Sequence, residues 1–94
     1  MAQVVWTDRA LTSLDSIETY IAQFNPLAAR RVARRLADAG NALAHYPERG
    51  RPVSGGRREL AAVWPYLIRY SFDGDTVQIL RIRHGARRPD GPPP

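Results

Sequence analysis

The chain contains no cysteine, no lysine and only one methionine and two histidines. Without cysteine there is no disulfide scaffold, no thiol chemistry and none of the thiolates that most structural zinc sites use. No stretch approaches the roughly 20 apolar residues that span a bilayer. Met1-Ala2-Gln3-Val4-Val5-Trp6 has neither the basic start nor the apolar centre of a secretory signal. A cytoplasmic protein without membrane association is therefore expected. HExxH, Walker A, GxGxxG and GxSxG patterns are missing, as is any spaced cluster of metal ligands, so neither metal nor cofactor is expected. The glycine-rich stretch at 50–56 lacks the lysine and the preceding strand of a phosphate loop.

What is present is arginine. All 14 basic residues are arginines, against 9 acids, for a net charge of +5 in 94 residues. Guanidinium groups favour bidentate contact with carboxylate or phosphate. Residues 1–25 sum to −2, residues 26–59 to +5 and residues 60–94 to +2. The excess from the second helix onward suggests a polyanionic partner, either nucleic acid or an acidic protein segment. A hydrophobic fraction of 44% in a chain of this length fits one folded domain.

The hydrophobic spacing predicts the elements. Val4-Val5-Trp6 is a short β-prone run. Thr7 is a candidate N-cap with Asp8 in the first turn. Ala10, Leu14, Ile17 and Ile21 then recur at helical spacing to about Gln23, with Leu11 flanking. Asn25-Pro26 breaks this helix and starts a second one. Its stripe is Ala28, Val32, Leu36, Ala39, Leu43 and Tyr46, and Pro47 stops it. Gly40 lies on its buried side, where it permits a close backbone approach. Residues 47–56 read as a loop and 58–63 as a strand. Tyr66, Ile68, Tyr70 and Phe72 alternate with Leu67, Arg69 and Ser71, which is the period of a strand. Asp73-Gly74 is a hairpin turn leading to a strand at Thr76–His84. In that strand residues 77–82 are apolar on both sides, as in a central strand covered on both faces. Asp90-Gly91-Pro92-Pro93-Pro94 belongs to a flexible tail at 89–94. The fold class is α+β: an N-terminal strand, an antiparallel helical hairpin, then a three-strand antiparallel meander. The order is β-α-α-β-β-β, with the helices on one face of the sheet and the first strand joining it.

Asp15 and Glu18 share a helix face and read as solvated. His45, near a helix end, complements the helix dipole. His84 ends the last strand between Arg83 and Arg87, where it could serve as a base or a hydrogen-bond partner. Arg30, Arg31, Arg34 and Arg35 form two i,i+4 pairs on the second helix. They are either a solvated face or a docking face for an acidic partner. Arg58, Arg69, Arg81, Arg83 and Arg87 form the main basic constellation. Several guanidiniums on one sheet region repel one another, and a phosphate backbone or an acidic peptide would relieve that.

The Val-Val-Trp-Thr opening, the Asn25-Pro26-Leu27-Ala28-Ala29-Arg30 junction, Tyr46-Pro47-Glu48-Arg49-Gly50-Arg51-Pro52, Arg58-Glu59-Leu60, Pro65-Tyr66-Leu67-Ile68-Arg69-Tyr70 and Ile79-Leu80-Arg81-Ile82-Arg83-His84-Gly85-Ala86-Arg87 together resemble the ParE/RelE toxin superfamily of bacterial type II toxin–antitoxin pairs, closest to its ParE branch. The resemblance spans residues 3–88. It implies one toxin domain at 1–88 and a cognate, ParD-like antitoxin whose acidic C-terminal segment wraps the toxin in a hetero-oligomer. It also implies repression of the operon, with the antitoxin contacting operator DNA. ParE-type members inhibit DNA gyrase and RelE-type members cut mRNA in the ribosome. The RelE branch uses an arginine after the first aromatic of the 66–72 strand, where this chain has Leu67. It also uses a tyrosine or histidine beyond the last strand, where this chain has Arg88-Pro89-Asp90-Gly91. Arg87 matches a basic position shared with RelE-like toxins. The resemblance thus implies a gyrase-inhibiting toxin without a catalytic centre. A RelE-like endoribonuclease using His84 and Arg87 is one alternative, and a degenerate toxin that only binds its antitoxin is the other. Arg58, Arg69, Arg81, Arg83, His84 and Arg87 are the expected contact residues for target and antitoxin.

Overall fold

A computed structural model describes residues 1–85; Arg87 and the expected tail lie outside the described residues. The elements are β1 (Gln3–Trp6), α1 (Asp8–Ala22), α2 (Pro26–Asn41), β2 (Arg51–Val53), β3 (Arg57–Val63), β4 (Tyr66–Phe72) and β5 (Thr76–His84). This is the expected order with one addition, the three-residue β2 inside the expected loop.

Both helices begin at side-chain caps. Thr7 Oγ1 accepts from the Ala10 amide at 3.1 Å, and Asn25 Oδ1 accepts from the Ala28 amide at 3.0 Å with Pro26 next in line. Each satisfies one of the amides a helix start leaves without a partner. α1 buries Ala10 and turns Leu14 and Ile17 toward the core. α2 buries Ala29, Leu36 and Gly40, so Ala29 rather than Ala28 carries the first contact. α2 ends at Asn41, earlier than expected, and continues as a 3-10 turn at Ala42–Ala44. Tyr46 is therefore off the helix and 67% exposed.

The strands form one sheet in the order β1-β5-β4-β3-β2. β1 runs parallel to β5 and the other pairs are antiparallel. Val77, Ile79, Ile68, Tyr70, Leu60 and Ile82 pack with Leu36 and Leu43 beneath the helices. Gly40 allows this contact. A Cβ there would lie 2.5 Å from Trp6 Cζ2 and 2.8 Å from Ile79 Cδ1, so its close neighbours are side chains rather than backbone. Trp6 Nε1 also donates to Asn41 Oδ1 at 2.9 Å. Tyr70, wholly buried, donates its hydroxyl to the Pro47 carbonyl at 2.7 Å and accepts from the Gly50 amide at 2.9 Å. Those bonds fasten the 47–50 loop to the core, and burial raises the Tyr70 pKa above the usual phenol value.

Two local readings change. The β4–β5 connection is Asp73 to Asp75, and only Gly74 takes positive φ, at 103°. Asp73 Oδ1 instead accepts from the Asp75 and Thr76 amides at 2.9 and 2.8 Å, an Asx turn. The apolar run at 77–82 reflects a bulge rather than two-sided cover. Tyr70 pairs with Ile79 and Arg69 with Arg81, leaving Leu80 as an extra residue. The bulge shifts the alternation by one, so Val77, Ile79 and Ile82 all reach the helix side.

Candidate functional site: the basic face of the sheet

The face of the sheet away from the helices follows from strand register. Glu59 on β3 stands opposite Arg69 on β4, and Arg69 stands opposite Arg81 on β5. Leu67 stands opposite Arg83, and Arg51 on β2 stands opposite Glu59. Directly opposed residues share a face, so Arg51, Glu59, Arg69, Arg81 and Arg83 lie together.

Glu59 is 3% exposed and is the only buried charged residue among those described. Its Oε2 accepts from Arg69 Nη2 at 2.8 Å, Arg69 Nε at 3.1 Å and Arg83 Nε at 2.9 Å. Its Oε1 accepts from Arg83 Nη2 at 3.2 Å. Arg51, largely exposed, stands 3.9 Å away. A carboxylate at this depth is tolerated only when paired and hydrogen-bonded. The bonds from Arg83, followed by those from Arg69, lower the Glu59 pKa against the opposing effect of burial. The counter-charge expected from an outside partner is thus partly internal.

Arg81 differs from its neighbours. It is half-buried and makes no salt bridge among the described residues. Burial, then the positive fields of Arg9, Arg69 and Arg83, lower its pKa from the usual arginine value.

The remaining expected contact residues are placed elsewhere. Arg58 has the opposite parity to Glu59 and pairs with Tyr70. It donates to the carbonyls of Gly50 at 2.8 Å and Glu48 at 3.2 Å, and its guanidinium lies 3.5 Å from the Glu48 carboxylate. It ties down a loop. His84 pairs with Tyr66 on the helix side of the sheet, and the two rings meet edge to face at 5.6 Å. So Arg69, Arg81 and Arg83 converge, while Arg58 and His84 point to the other face. Arg30, Arg31, Arg34 and Arg35 are all exposed on α2, with no salt bridge among the described residues. They form a second basic surface on the outer side of the helix layer. Among the described residues no group of three or more potential ligands could hold a metal, and no helix is long and apolar enough to cross a membrane.

Glu59 was not anticipated as part of the site, although a signal existed. It is the only acid in β3, β4 and β5, whose strands also carry Arg57, Arg58, Arg69, Arg81 and Arg83.

Comparison with known proteins agrees with the fold. The chain is 58% identical over 87 residues to "Toxin RelE2" of Caulobacter vibrioides, covering 93% of this chain and 99% of that protein. It is 43% identical over 84 residues to "Putative toxin Y4kP" of Sinorhizobium fredii, covering 87% and 86%. Its fold superposes on a chain of the chromosomal ParDE TA system from P. aeruginosa with a TM-score of 0.80 and 27% identity, covering 89% of this chain and 96% of that one. The family model describing the ParE toxin of the type II toxin–antitoxin system parDE matches residues 4–89. The chain belongs to this ParE toxin family.

Proposed function

We propose that the chain acts by binding protein, as a cytoplasmic toxin that poisons DNA gyrase and cuts no RNA. In this reading residues 1–88 work as one toxin unit. A cognate antitoxin with an acidic C-terminal segment neutralises it, and the pair represses its own operon through antitoxin contacts with DNA. One observation carries the choice against RNA cleavage: Glu59 already engages the guanidiniums of Arg69 and Arg83. Cleavage through a 2′-hydroxyl needs a base together with cations that meet the charge developing on phosphorus. A carboxylate held between two of those cations opposes an incoming phosphate. Leu67, buried, occupies the β4 position where RelE-like toxins carry arginine. The family match to ParE supports gyrase as the target.

The name of one relative, RelE2, favours a second reading as a ribosome-dependent endoribonuclease. Purified chain incubated with gyrase and relaxed plasmid separates the two. Loss of supercoiling with accumulation of cleaved DNA is expected. Cleavage of ribosome-bound mRNA with gyrase unaffected would overturn the proposal.

A further inference from the structure

α2 turns Ala29, Leu36 and Gly40 inward and sets Arg30, Arg31, Arg34 and Arg35 on its solvent side, all four exposed. Residues four apart on a helix are neighbours, so Arg30 sits beside Arg34 and Arg31 beside Arg35. Like charges at that spacing weaken a helix. Asp38 is the only acid in α2, and among the described residues none of the four arginines makes a salt bridge. The first turn of α2 holds no acid to offset the positive end of the helix dipole. Packing on the sheet and the Asn25 cap hold this unbalanced face in place.

We propose that the outer face of α2 binds the phosphate backbone of duplex DNA without regard to sequence. This goes beyond the reading above, which gives the chain a protein target and leaves DNA to the antitoxin. Three features select the occupant. α2 contains no aromatic residue, whereas single strands are held largely by stacking on aromatic side chains. Leu27 is the one large apolar side chain of α2 left exposed. A protein segment takes its hold from an apolar interface core, but a phosphate backbone is held by charge through the release of counterions. Arg30 to Arg35 also spans about 7.5 Å along the helix axis, a length of duplex that carries about four phosphate charges. Guanidinium forks match phosphate oxygens two at a time, and phosphate contacts carry no sequence information.

The test measures fluorescence anisotropy of two short duplexes of unrelated sequence with the full chain, between about 50 and 200 mM salt. The wild type should bind both alike, with a log–log salt slope of about −3.6, from about −0.9 for each of four phosphates. Arg30→Gln with Arg34→Gln should halve the slope and weaken binding about 10- to 100-fold at about 50 mM salt. Arg31→Gln with Arg35→Gln should do the same, so a misfolded first variant leaves the second to decide. Arg30→Lys with Arg34→Lys keeps the charge and should keep the slope. Arg49→Gln with Arg57→Gln removes equal charge from exposed residues elsewhere and should leave the slope nearly unchanged. Far-ultraviolet spectra check that each variant keeps its helices. If the wild type binds neither duplex, the proposal falls and the protein-target reading stands, because that reading needs no DNA contact. Equal losses in the α2 variants and in the Arg49–Arg57 variant would mean that net charge acts from no fixed place, and the proposal falls. Tighter binding of a single strand, or a loss confined to an acidic antitoxin segment, would make the occupant wrong.

Discussion

A single carboxylate sets the electrostatics of the open sheet face. Glu59 is buried between Arg69 and Arg83, so removing its charge leaves two guanidiniums facing each other across β4 and β5. Glu59→Gln should cost about 3 kcal/mol, the lower end for a broken buried pair, because the arginines keep some contact with solvent. Urea unfolding measures it. The pH dependence has a definite sign. The folded-state pKa of Glu59 lies below its ordinary value of 4.5. Its contribution is complete above that value and disappears as pH falls through the lower folded value. The stability gap between wild type and Glu59→Gln should narrow as pH falls below 4.5 and toward the lower folded value. A gap that stays constant across that range would mean the ion pairs carry no net stability. The sequence could not show this arrangement by alternation alone. A charged residue at that position reads as solvent-facing, and its burial depends on partners 10 and 24 residues further along the chain.

At the scale of elements, local signals were legible and long-range ones were not. Thr7 and Asn25 could be read as caps because a cap acts on amides three residues away. The alternation of β4 survived because its inner face is wholly apolar, whereas its outer face sets Arg69 and Ser71 beside Leu67. β2 escaped notice because three residues with a central proline carry no period, and Pro52 fits an edge strand that needs no further amide partner. The Leu80 bulge escaped because an extra residue imitates two-sided cover. Gly40 was visible as a buried small residue, but the sequence could not say that Trp6 and Ile79 press on it. Gly40→Ala should gain about 1 kcal/mol of helix propensity. It should lose about 1–3 kcal/mol to overpacking against the Trp6 indole and the tip of Ile79. The expected result is a net loss of stability in thermal melts. A higher melting temperature would show that α2 can shift off the sheet at little cost.

On the scale of the whole molecule, charge sits on two surfaces separated by the sheet and its helices. The arginines of α2 are exposed, and Arg69, Arg81 and Arg83 on the open face are partly buried. Long-range attraction from exposed charge mainly accelerates encounter, whereas a desolvated contact mainly lengthens the life of a complex. With the acidic partner proposed above, Arg30→Glu with Arg34→Glu should slow association about tenfold and flatten its salt dependence, leaving dissociation nearly unchanged. Arg81→Gln should mainly accelerate dissociation. Stopped-flow binding resolves the two rates, and effects in the opposite order would exchange the roles assigned to the two surfaces.

The place of β5 also bears on when the protein becomes a folded object. It lies between β1, near one end of the chain, and β4, yet among the described residues it is the last strand in sequence. At the usual rate of synthesis the chain takes about 5–20 s to make. For most of that time β1 and α1 have no central strand to pack on, and the basic face lacks Arg81 and Arg83. The nascent chain therefore has no assembled basic face until β5 has been made and has left the ribosome.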